Sequence, residues 1–126
     1  CYDHLAGERG VEMLDASHRL GLIVDDSEPV LTEKGKSFFS CLGVDVTTLE
    51  RGKRQVCRHC LDWSERRNHL GGALGAALLK HFIAQGWVRR EAGRVIAFSP
   101  KGVQAFSRTF ELAGQTTSPE QPAVVG

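Results

Sequence analysis

The 126-residue chain contains no run of the roughly 18 to 20 apolar residues that a bilayer-spanning helix needs. It also lacks the charged start, apolar centre and small-residue cleavage site of an export signal. The expectation is a soluble, cytoplasmic protein with no membrane partner. An excess of charge of one sign is lacking too: a net charge of +1 and a pI near 7.9 give no global argument for binding nucleic acid or a membrane surface. Any such claim falls to local charge. The 14 glycines form no nucleotide loop, because no Gly-Lys-Ser/Thr ending is present and no Gly-x-Gly-x-x-Gly follows a strand-like run. No serine or cysteine has a recognisable base and orienting partner nearby in sequence, which reads against an enzyme. Four cysteines without an export signal are expected as reduced thiols, buried or bound to metal. The missing initiator Met and the start in mid-motif are expected of a fragment of a longer protein.

What is present suits one domain with a real core: 41% of residues are hydrophobic and 25% charged, ordinary for a globular protein. The most informative stretch, residues 60–87, joins a cysteine pair to a small-residue helix that ends at a glycine. A shorter relative of it opens the chain. Cys1, His4, Leu5, Gly7, Gly10, Leu14 and Gly21 recur as Cys60, His69, Leu70, Gly72, Gly75, Leu79 and Gly86. Gly35 and Gly102 continue the match, with two extra residues in the second copy. The pattern reads as an internal duplication.

In the first copy Asp3 is expected to cap a helix over residues 4–20, with a possible break at Gly7 and Gly10, ended by Gly21. A hairpin follows at residues 22–24 and 30–32. Thr32 then caps a helix that turns Phe38, Phe39 and Leu42 inward. In the second copy the helix starts at Asn68 or as early as Ser64 and stops at Gly86. Residues 87–90 and 94–98 form the hairpin, and Ser99-Pro100 starts a helix burying Val103, Phe106 and Phe110. The expected class is therefore α+β, mainly helical, built of two tandem winged-helix-like halves, each helix, β-hairpin, helix. The halves span residues 1–43 and 60–112. Between them lies a basic connector, 44–59, carrying Arg51, Lys53, Arg54 and Arg58 and at most a short helix near Thr48. Residues 113–126 are expected to be a disordered tail.

The string Leu-Thr-x-x-Gly-x-x-x-Phe at 31–39, after a hairpin and a helix ending Gly-Leu-Ile, resembles the recognition-helix and wing half of a winged helix. CYDHLAG at 1–7 and CLDWSERRNHLGGALGAALL at 60–79 are similar to a long-form branch of the ArsR-family transcriptional regulators. The resemblance covers residue 1 to about residue 111. It departs from that family's best-known part, having neither a complete helix-turn-helix nor the Cys-x-Cys helix of its metal sensors. It implies the C-terminal dimerisation or effector-sensing region of such a regulator, acting as a homodimer on DNA through the full-length protein.

Cys57 and Cys60 form C-x2-C and Cys1 and His4 form C-x2-H, so Cys1, His4, Cys57 and Cys60 are candidate ligands of a closed zinc site. Such a site would fit a second reading, a zinc-stabilised structural or protein-interaction module. The alternative is that Cys1, Cys41 and Cys60 are small buried apolar residues and that His4 and His69 are first-turn helix residues. A redox role for C-x2-C lacks its strand-helix-strand context. Gly71, Gly72, Ala73, Gly75, Ala76 and Ala77 leave a bare helix face, for a dimer seam or for close internal packing against the first helix. Trp63, Arg66, Arg67 and His69, where the second copy has gained residues, are candidates for ligand binding. The interleaved charges around them also read as ion pairs on a helix. Arg89, Arg90 and Arg94 on the second wing are candidates for phosphate contact with DNA, or a solvated basic surface.

Overall fold

Two helices of this protein are entered through a glycine at positive φ. Gly7 (φ 72°) opens α1 (Gly7–Arg19) and Gly72 (φ 76°) opens α4 (Gly72–Ala84). A side chain is disfavoured in that left-handed region, so glycine here is the joint between an extended segment and a helix. The computed structural model describes residues 3–93 and 95–112, and the backbone of 122–125. It corrects the sequence reading at both helix starts. Leu5–Ala6 is a short strand, β1, and Asp3 does not cap α1, because its carboxylate is held by Arg54 and His4. Ser64 and Asn68 lie outside α4 altogether, in a hairpin.

The first half continues with β2 (Ile23–Asp25), β3 (Pro29–Leu31) and α2 (Glu33–Leu42), followed by a short α3 (Val46–Arg51) capped by Asp45. The unforeseen hairpin is β4 (Arg58–Asp62) with β5 (Arg67–Gly71), in register Arg58↔Gly71 to Asp62↔Arg67. The expected boundary between connector and second half thus falls inside a strand. After α4 come β6 (Val88–Arg90), β7 (Val95–Phe98) and α5 (Pro100–Thr109). Pro122–Val125 is a strand, β8, where the sequence reads as disordered; it pairs antiparallel with both β1 and β7. The sheet order is β1-β8-β7-β6, with β2-β3 and β4-β5 as separate pairs. The fold is mixed helix and strand.

The bonds that end the first helix and cap the next one recur between the halves. Leu22 N–H donates to Ser17 O and Gly21 N–H to His18 O; Trp87 N–H to Phe82 O and Gly86 N–H to Ile83 O are their counterparts. These are the paired closing bonds of a glycine-ended helix. Thr32 Oγ1 accepts from Gly35 N–H and donates to Gly21 O, and Ser99 Oγ does the same with Gly102 and Gly86. Each hydroxyl therefore ties helix, wing and next helix together. Leu5, Met13, Leu22, Phe39, Leu70, Leu78, Phe82, Phe98, Phe106 and Phe110 are buried in one cluster spanning both halves.

Contact between the halves is reciprocal. A Cβ added to Gly10 would lie 2.4 Å from Leu5 O and 3.1 Å from His69 Cβ. One added to Gly75 would lie 2.5 Å from Leu70 O and 3.1 Å from His4 Cβ. Each helix thus rests on the strand before it and on the other half's histidine, so the bare face of α4 is spent on internal packing at Gly75.

Candidate metal centre

His4 and His69 meet at this reciprocal contact, Nε2 to Nε2, at 2.9 Å, and both are buried. Each ring is held from behind by a carboxylate: His4 Nδ1 lies 3.3 Å from Asp3 Oδ1 and His69 Nδ1 lies 2.9 Å from Asp62 Oδ2. Cys60 is directly opposite His69 in the β4–β5 register, and opposed residues share a face of a strand pair. Its Sγ and the two imidazoles offer three ligand atoms within 4.8 Å of one another.

Asp62 organises this side of the cluster. It is 5% exposed, yet its Oδ1 accepts from Ser64 N–H, Ser64 Oγ–H and Glu65 N–H, which folds the 63–66 turn. Its Oδ2 accepts from Gly7 N–H (2.7 Å) and from His69. Burial pushes its pKa up, but the hydrogen bonds from Ser64, Gly7, Glu65 and His69 outweigh it and hold the carboxyl well below the usual range. Asp3 is pulled down to about 2, chiefly by its hydrogen bond with Arg54. Both flanking carboxylates are therefore ionised at neutral pH.

The row Asp3, His4, His69, Asp62 has three contacts and needs three protons to satisfy them, whereas two neutral imidazoles carry two. A third proton is disfavoured, since burial pushes the pKa of both histidines down. With His69 Nδ1–H on Asp62 and His4 Nε2–H on His69, the bare His4 Nδ1 faces the Asp3 carboxylate. A divalent ion held by the Nε2 atoms would remove the conflict, because both lone pairs could then serve the metal and both Nδ1–H groups the carboxylates, the usual outer support of a metal-bound histidine. Bonds of roughly 2.0–2.1 Å at a tetrahedral angle place donors about 3.3–3.4 Å apart, so the rings need separate by only a few tenths of an ångström. His4 and Cys60 also line a cavity of about 380 Å³ with Arg54 and Arg58.

The expected ligand set is only partly assembled. His4 and Cys60 come together. Cys57 does not join them: it is packed into the hydrophobic core, where burial pushes its thiol up to about 11. Cys57 and Cys60 run into an extended strand, where residues three apart face opposite ways, so C-x2-C makes no tight turn here. Cys1 lies outside the described residues, and Cys41 is exposed. The expected ligand-binding group is likewise divided. His69 points inward, while Trp63 is 76% exposed, Arg66 stands in the turn at φ 58°, and Arg67 pairs with Asp15. Arg89 and Arg90 are exposed on β6, with Arg89 3.1 Å from Glu91; Arg94 lies outside the described residues. Sequence reasoning missed Asp62, whose signal is the Asp-x-Ser-Glu start of a side-chain-closed turn. Among the described residues no helix is long and apolar enough to cross a membrane.

No family model matches the chain, and no solved structure matches it. The chain is 40% identical over 114 residues to a protein of Bacillus subtilis (strain 168) described as the uncharacterized HTH-type transcriptional regulator YdfF. The match takes in 89% of this chain and 50% of that relative, so the chain spans about half the length of the curated relative it matches.

Proposed function

We propose that this chain is the effector-sensing region of a transcriptional regulator of the ArsR type, in which a zinc ion, or an ion of like chemistry, binds at the seam between the two halves. The observation that carries this is the buried His4–His69 contact with Cys60 beside it and a carboxylate behind each ring. The likeness to a protein described as an HTH-type regulator supports the regulatory part of the reading. An ion held by one histidine from each half stabilises one relative position of the halves, and by linkage whatever DNA-binding state shares that position. Arg89, Arg90 and Arg94 would add phosphate contacts on the second wing. The working form in this reading is a cytoplasmic homodimer, and no part of it calls for catalysis.

The test is DNA binding by the full-length regulator, with and without zinc, in wild type and in His69→Gln. The reading expects a zinc-dependent change in affinity of about 5-fold to 150-fold in wild type and none in the variant. Zinc binding without any effect on DNA affinity would leave the structural role: an ion that ties the segment ahead of β1 to the β4–β5 hairpin and whose removal lowers stability.

A further inference from the structure

We propose that His18, Asp25 and His59 form a second, separate metal site, suited to an exchangeable borderline divalent ion such as zinc, nickel or cobalt(II). The three side chains come from different elements: His18 from the last turn of α1, Asp25 from the end of β2 and His59 from β4. Their ligand atoms lie within 4.8 Å of one another. Asp25 Oδ1 is 3.1 Å from His18 Nε2 and 3.2 Å from His59 Nε2. For metal–donor bonds of roughly 2.0–2.1 Å, neighbouring donors stand about 2.9 Å apart at a right angle and about 3.4 Å apart at the tetrahedral angle. Both observed separations fall inside that window.

A carboxylate bridging two imidazoles is the competing account, and one atom argues against it. His59 Nε2 is buried and makes no hydrogen bond of acceptable geometry, although Asp25 Oδ1 is 3.2 Å away. A lone pair on a shared ion needs no alignment with the carboxylate, only with the ion. The two rings stand edge to face, 65° apart with centroids 5.8 Å apart, an arrangement that lets two imidazoles share a centre without stacking on each other. Two histidines and one carboxylate, with no sulfur, suit imidazole-preferring first-row ions. His18 and Asp25 are partly open to solvent, so water fills the remaining positions and the ion exchanges.

Place in the fold gives the site a consequence. His59 and Cys60 are neighbours on β4 and so face opposite sides of it. Cys60 faces the seam between the halves, and His59 reaches toward the first wing. An ion at the second site ties β4 to the end of α1 and to β2, on the opposite face from the buried cluster.

Cobalt(II) titration of the full chain under reducing, oxygen-free conditions tests the site independently of the buried one, because only the buried one has a thiolate. Wild type is expected to show a thiolate-to-cobalt charge-transfer band and a second binding phase without it. Cys60→Ser should lose the band and keep the second phase. His59→Gln and His18→Gln should keep the band and weaken the second phase by at least about 10-fold. Asp25→Asn serves if either histidine variant misfolds by circular dichroism. If the second phase is absent in wild type, or is unchanged in the His59, His18 and Asp25 variants, the second site is refuted whatever the band shows.

Discussion

Replacing Gly75 by Ala is expected to destabilise the protein, although alanine is the better helix former. The added Cβ would sit 2.5 Å from Leu70 O and 3.1 Å from both Leu70 C and His4 Cβ. An ordinary contact is about 3.4 Å or more, so α4 and β5 must part by most of an ångström. The first of these partners is backbone and cannot swing aside. Overpacking of this kind costs typically 1–3 kcal/mol, and a carbonyl at this distance belongs at the upper end. Helix propensity returns about 1 kcal/mol for Gly to Ala. The net expectation is a loss of about 2 kcal/mol, read by urea unfolding of wild type and variant with equal slopes. Gly93→Ala gives the contrasting case, backbone strain without close contact, since its φ is 69° and nothing among the described residues lies within 4 Å of the added atom; about 1 kcal/mol is expected there. Because the clash also displaces His4, Gly75→Ala should weaken metal binding at the seam. A Gly75→Ala protein as stable as wild type or more so would refute the close-contact reasoning. Gly10→Ala, the counterpart in α1, should cost a similar amount.

Asp62→Asn keeps the shape but withdraws acceptors from Gly7 and His69 or from the 63–66 turn, so a loss of about 3 kcal/mol is expected in thermal or urea unfolding. The pH dependence follows from the sign of the shift. A carboxyl depressed in the folded state stabilises above its ordinary value of 3.8 and loses that contribution as pH falls below it, so the acid limb should shrink in the Asn variant. The limb due to Asp3, between about 3.8 and about 2, should persist there and weaken in Arg54→Gln. Alkylation at pH 8 followed by mass spectrometry should modify exposed Cys41 first and leave Cys57 intact until unfolding, since burial holds its thiol protonated up to about 11. Thr32→Ala and Ser99→Ala should each cost about 1 kcal/mol, as each removes an N-cap; unequal costs would mark one half as the less stable.

Local signals carried much of the fold. Thr32 and Ser99-Pro100 mark helix starts through side-chain chemistry, Gly21 and Gly86 mark helix ends, and the repeat between the halves fixes their order. What escaped is where one residue type serves two ends. Gly7 reads as a costly interior glycine and Gly72 as part of a bare helix face, but both are helix entries at positive φ. The β4–β5 hairpin escaped because its turn has no Asn-Gly pair: Asp62 closes it through its side chain, and Arg66 takes the left-handed position that glycine usually signals. With that turn unseen, the charges from Asp62 to Arg67 look helical and His69 seems to belong with Trp63. Cys60 and His4 were visible as ligand candidates, whereas the pairing of His4 with His69 depends on two glycines bringing distant segments together. Spacing along the chain does not encode that.

Zinc content of wild type and of His69→Gln, purified without chelator and measured by mass spectrometry together with melting before and after chelation, decides whether His4 and His69 hold an ion between them. About one equivalent or more is expected in wild type, a drop of about one in the variant, and a lower melting temperature for wild type once the metal is removed. Less than about a tenth of an equivalent in wild type, with melting unchanged by chelation, would contradict it.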